Sequence, residues 1–240
     1  MLMPFFDPTF ILIIPAMLLA MWAQAKVHSS YRQYSQVINR RGITGAEVAS
    51  AILRDEGITL ANDPGHYPNG AAVGLEAIHG HLTDHYDPRT RTLRLSDEVY
   101  NGTSVAALGI AAHEVGHAIQ HARLYSPLML RNVVYPVCNA GTVAAWPLFF
   151  AGLIFSAPML LKVGIVLFAL AVFFTVLTLP VEFNASSRAM RALAHGGYLS
   201  EDELHGARKV LSAAALTYVA AAAVSIMHLV RMLVLANQRR

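Results

Sequence analysis

Charge is scarce in this chain. Asp, Glu, Lys and Arg make up 14% of its 240 residues, against roughly 25% in an average soluble domain. That shortage points to an integral membrane protein. The net charge is only +3, and Lys and Arg flank apolar segments instead of forming one basic stripe. This pattern fits membrane flanks better than nucleic-acid binding. Cysteine is nearly absent. Cys138 stands alone inside an apolar run, so there is neither a disulfide framework nor a thiolate metal site. No internal repeat occurs, and no low-complexity tract beyond an Ala-rich last segment.

What is present is apolar: 55% of the chain. With its flanks, the run at residues 10–23 approaches the ~20 residues that span a bilayer. Ala23-Gln24-Ala25 has the form of a signal-peptide cleavage site. No Lys or Arg precedes the run, however, and Lys26 follows directly, which favours a retained anchor. Runs at 133–155 and 160–179 are separated by Ser156-Ala157-Pro158, short enough for a tight transmembrane hairpin. The last run, 213–235, contains His228 and Arg231, both costly in lipid; it either spans or packs on the other helices. Lys26, Arg32, Arg40 and Arg41 follow the first run, and Arg188, Arg191, Arg208 and Lys209 follow the third. By the positive-inside rule these polar regions face the cytoplasm. Arg239 and Arg240 oppose that topology if the last run spans.

Residues 26–132 form a polar region of domain size. Thr44-Gly45-Ala46-Glu47 is a capping box that opens a helix. Val48, Ala49, Ile52 and Leu53 give the helix an apolar face, and Gly57 ends it. Turn clusters at Asp63-Pro64-Gly65 and Pro68-Asn69-Gly70 precede expected strands at 72–78, 82–86 and 92–95. The 92–95 strand offers an edge to an extended peptide, with Asp84, His85, Tyr86 and Asp87 lining a cleft. An ordinary hairpin explains the same residues equally well. From 104 to 124 the pattern becomes an Ala-rich helix.

That helix carries His113-Glu114-Val115-Gly116-His117, an H-E-x-x-H motif. Residues four apart share one helix face, so two imidazoles can reach one zinc at about 2.0–2.1 Å. Glu114 projects beside the metal and is placed to take a proton from water. His121 is a poor third ligand, because on an unbroken helix it lies about 12 Å along the axis from His113. The extended motif that turns its chain at a glycine to recruit a third histidine is not met here, where Gln120 and Arg123 occupy the required positions. Glu182 is better placed. If the second and third runs form a hairpin, both ends return to one side of the membrane, one adjoining the metal helix and the other leading to Glu182. Capping a helix or facing headgroups is the plainer role for that carboxylate. His66, His79 and His81 read as surface or structural residues. His195, Tyr198 and His205 follow Glu182, and the sequence does not choose among them as oxyanion stabilisers.

The chain resembles the bacterial YugP-like membrane zinc metallopeptidases over nearly its whole length. The resemblance runs through Leu82-Thr83-Asp84-His85-Tyr86-Asp87-Pro88, Leu95-Ser96, Val99-Tyr100, residues 111–120, residues 181–188 and residues 206–211. That family is similar in turn to the gluzincins, including the HtpX-like membrane proteases. By this resemblance Glu182 is the third zinc ligand. Ser186 stands where gluzincins carry an Asp that orients a ligating histidine, and a serine accepts a hydrogen bond without charge.

The expectation is a mainly α membrane protein: a zincin-like α+β catalytic unit joined to three or four transmembrane helices. Its segments are an anchor (8–25), a catalytic region (26–132), a transmembrane hairpin (133–180), a polar segment (181–210) and a C-terminal apolar helix (211–236). His113, His117 and Glu182 hold one Zn2+, and Glu114 is the general base. Ser186, His85, Tyr86 and His195 are candidates for supporting the ligands or lining the substrate cleft. The expected partners are a protein or peptide substrate and the lipid bilayer. The expected location is a bacterial inner membrane, with the catalytic region in the cytoplasm. A non-catalytic metal-binding scaffold is the alternative; it has no use for Glu114. Too few apolar runs are present for a transporter.

Overall fold

A computed structural model describes residues 8–63 and 72–238. The turn cluster at 68–70, most of that at 63–65, His66, the N-terminal flank, Arg239 and Arg240 lie outside the described residues. The protein is mostly helical with a small mixed sheet. A 3-10 helix (Pro8–Leu12) leads to α1 (Ile14–Tyr34), α2 (Gly45–Asp55), β1 (Thr59–Leu60), β2 (Ala72–Ile78), β3 (His85–Asp87) and β4 (Thr92–Ser96). Then come α3 (Asp97–Tyr100), α4 (Val105–Ala122), α5 (Ser126–Ile154), α6 (Pro158–His195) and α7 (Glu201–Asn237). Two compact units result, one from residues 25–129 and 181–215, the other from 8–24, 130–180 and 216–238.

The first unit begins with a capped helix. In α2 the Glu47 N–H donates to Thr44 Oγ1 at 3.2 Å, and the Thr44 N–H donates to Glu47 Oε2 at 2.7 Å. Two otherwise orphaned donors are thereby satisfied. Gly57, at φ +73°, takes the left-handed position after the helix. The buried face of α2 joins Leu108, Ala111, Ala112, Val115 and Ile119 of α4 in one core.

The sheet has strand order β1-β2-β4-β3, with only β3 antiparallel to its neighbour. Two strand expectations change. The strand expected at 82–86 starts only at His85, because Leu82 sits at φ +55°, which interrupts a pleat. The carboxylate of Asp84 then turns to accept from the Ser96 N–H at 2.7 Å and from Ser96 Oγ at 3.0 Å. Nor is the 92–95 strand an edge: β4 lies between β2 and β3, with Leu93 and Leu95 fully buried. The edge beside it is β3. The polar segment after residue 181 is largely helical. It continues α6 to His195, turns through Gly197 (φ +60°) and opens α7. Ala189, Leu193, Ala207 and Leu211 from these helices enter the same core.

The second unit is built on an antiparallel α5–α6 hairpin. Its turn places Ser156 at φ +51° and returns the Ala157 N–H to Gly152 O at 3.0 Å. A Cβ on Gly164 would lie 2.8 Å from the Phe149 nitrogen. Small residues let the two backbones approach, as packed membrane helices require. Phe149, Leu161, Phe168 and Met232 form the core, with Trp146 against it. Among the described residues three helices, α5, α6 and α7, are long and apolar enough to cross a membrane, and no more than 28% of each apolar window is buried within the protein. The exposed remainder suits lipid. The first helix is not among them: its apolar run is divided between the 3-10 helix and the first half of α1, which turns polar after Ala25. In α7 Arg231 Nε donates to Thr9 Oγ1 at 3.2 Å, with its guanidinium 5.5 Å from the Phe10 ring centroid. His228 meets the Trp146 ring edge-on at 5.5 Å. The polar residues of this run thus find protein partners.

Candidate metal centre

Ser104 starts α4 by accepting from the Ala107 N–H at 3.1 Å, and the helix runs unbroken to Ala122. His113 and His117 therefore share a face, with ring centroids 4.8 Å apart and planes at 86°. Between them stands Gly116, where a Cβ would lie 2.5 Å from the carbonyl oxygen of Ala185. Only a glycine lets the α6 backbone cross there. That crossing brings in Glu182, three residues before Ala185.

His113 Nε2 and His117 Nε2 lie 3.4 Å and 3.5 Å from Glu182 Oε2. These separations are long for N–H···O hydrogen bonds, which cluster at roughly 2.7–3.2 Å. They match another geometry. Two ligand atoms bonded at about 2.0–2.1 Å to one tetrahedral zinc lie about 3.3 Å apart. Among the described residues these three side chains form the one group of His, Cys, Asp or Glu able to hold a metal ion, with ligand atoms all within 4.8 Å of one another. Two imidazoles and one carboxylate are the donor set of open, catalytic zinc sites, so the residues fit that ion. The other ring nitrogens are engaged. His117 Nδ1 lies 3.1 Å from Gln120 Oε1, and His113 Nδ1 lies 3.1 Å from Ser186 Oγ. Both Nε2 atoms are thus left to face Glu182.

The family model described as "Putative neutral zinc metallopeptidase" matches residues 9–237. The chain belongs to this family. "Putative membrane protease YugP" of Bacillus subtilis (strain 168) is 47% identical over 220 residues, covering 92% of each chain. No solved structure matches. The family's description implies zinc as the cofactor, and the three side chains above are a group with ligand atoms close enough to hold such an ion.

Glu114 is buried beside the histidines, and its Oε2 accepts from the Tyr86 N–H of β3 at 2.9 Å. The edge strand thus touches α4 at the Glu114 carboxylate. The Tyr86 hydroxyl lies 2.8 Å from His121 Nδ1. Burial pushes the Tyr86 phenol up and the His121 imidazole down, so both stay neutral at pH 7. His121 is tied to β3 and stands apart from the metal-ligand group. Asp84, also raised by burial, is spent on Ser96.

Other candidates lie elsewhere. The His85 ring is exposed and engages the Thr83 carbonyl at 2.8 Å; only its backbone belongs to the edge strand. His195 lies away from Glu182. Thirteen residues beyond Glu182 on one helix is about 20 Å, and the side chain lines a groove with Ile52, Asp55 and Arg191. Tyr198 donates to Asp55 Oδ2 at 2.6 Å, and His205 is exposed. His79 and His81 make surface pairs with Asp97 and Glu98 at 2.8 and 2.9 Å. Sequence reasoning missed the roles of Gln120 and Asn184. Gln120 is fully buried, and its Nε2 donates to Val181 O at 2.8 Å and to Asn184 Oδ1 at 3.0 Å. Its signal was a polar amide three residues after His117, on the ligand face of an apolar helix.

Proposed function

We propose that this protein is a membrane-embedded zinc peptidase of gluzincin type that hydrolyses peptide bonds, with zinc held by His113, His117 and Glu182 and with Glu114 as general base. The spacing of the two Nε2 atoms from one Glu182 oxygen carries this reading. When bound, zinc supplies Lewis acidity to a carbonyl oxygen and acidifies a water molecule. The chain supplies the rest. Glu114 takes a proton from the attacking water and delivers it to the departing amine nitrogen. The Tyr86 N–H steadies one of its oxygens and leaves the other for this transfer. The edge strand β3, rather than β4, is where an extended substrate would align. Purified protein incubated with its native membrane proteome should create new peptide termini, and a chelator should abolish them. Tight zinc binding with no cleavage would favour the non-catalytic scaffold instead.

The same reading places residues 25–129 and 181–215 on the cytoplasmic face of a bacterial inner membrane. The basic residues flanking the first and third apolar runs support it. Reporter fusions after Arg41 and after Arg191 should both register cytoplasm. An extracytoplasmic signal from either one overturns this topology.

A further inference from the structure

We propose that Arg188, Asn184 and Gln120 form a one-way hydrogen-bond chain that decides which ring nitrogen of His117 carries its hydrogen, which makes them positioning residues for the metal. The inference rests on reading His117 as a ligand.

The argument follows polarity from one end to the other. Arg188 can only donate, and its Nε–H reaches Asn184 Oδ1 at 2.8 Å. The oxygen of Asn184 must therefore face this junction. Gln120 Nε2 donates to that same oxygen at 3.0 Å and uses its second hydrogen on the Val181 carbonyl at 2.8 Å. Both acceptors demand the amino end of Gln120, so its Oε1 is turned toward His117 Nδ1 at 3.1 Å. An amide oxygen only accepts. His117 Nδ1 therefore bears the hydrogen, and Nε2 presents a lone pair toward Glu182. Were the Gln120 amide turned over, its amino group would confront Nδ1, favour hydrogen on Nε2 and block a metal there. Ser186 cannot impose such a choice on His113, because a hydroxyl rotates to donate or accept. The direction enters the site through Gln120, whose amino end is fixed both by the Val181 carbonyl and by the Asn184 oxygen that Arg188 holds in place.

The test reads zinc affinity by chelator competition on the full chain purified in detergent, without turnover. Gln120→Met keeps volume and removes every link; it should weaken zinc about 10–100-fold, as loss of a partner behind a ligating histidine does. Arg188→Met should weaken zinc by a smaller factor in the wild-type background and not at all in the Gln120→Met background. Arg188→Lys should restore affinity, since an ammonium also only donates. Should Gln120→Met fail to insert, Asn184→Leu breaks the chain one link earlier and takes its place in the cycle. Equal effects of Arg188→Met in both backgrounds, or unchanged affinity in Gln120→Met, overturn the chain while leaving the peptidase reading intact. A wild-type protein that binds no zinc overturns both.

Discussion

Glu114→Gln should retain its zinc and lose about 10²–10⁴-fold in peptide hydrolysis, the range that general acid–base catalysis contributes. The substitution is nearly isosteric, and the Gln oxygen can still accept from the Tyr86 N–H that Glu114 Oε2 accepts from now, at 2.9 Å. The contact with β3 therefore survives, and only proton transfer is lost. None of the three proposed ligands is touched, so metal content measured on the same preparation should equal wild type. His113→Ala, by contrast, should lose metal and activity together. Near-normal turnover by Glu114→Gln would sink the assigned mechanism. Loss of zinc in that variant would instead mean that Glu114 holds the site together rather than working in it.

The second large effect concerns Glu182. Two histidines leave zinc short of the three protein ligands usual in catalytic sites, and Glu182 is the buried carboxylate 3.4 and 3.5 Å from both Nε2 atoms. Glu182→Ala should weaken zinc binding by more than the roughly 10–100-fold expected for losing a supporting hydrogen bond, and should abolish hydrolysis. Glu182→Gln keeps the shape but offers a neutral oxygen, and should fall between Ala and wild type in affinity. Glu201→Ala is a control from an exposed position. The informative control is His121→Ala, which removes the Tyr86 partner and should leave zinc content unchanged. Full occupancy in both Glu182 variants, with loss in His121→Ala, would show that the third ligand is the histidine.

Much of this protein was written in local pattern. The capping box at Thr44–Glu47, the Ala-rich helix bearing His113 and His117 and the three long apolar helices follow from spacing and composition alone. Each is a periodicity read along one segment, and an i, i+4 pair on a helix needs no knowledge of what packs against it. Strand register was less legible. Residues 82–86 look extended, yet Leu82 takes a left-handed conformation, and β4 lies inside the sheet although 92–95 was a candidate edge. Pairing order is a nonlocal property, and alternation shows which face of a strand is buried without naming its neighbours. The site divides in the same way. The sequence by itself determined that two imidazoles share one face of α4 with the Glu114 carboxylate beside them, because helix geometry alone puts them there. Only the tertiary structure decided what meets that face: Gly116 admits the backbone of α6, Glu182 and Ser186 arrive with it, His195 is carried about 20 Å further along the same helix, and Gln120 joins Asn184 across the crossing. The reason is physical: contacts between helices depend on how closely two backbones approach, and that distance is set by packing, which no spacing within a single helix encodes.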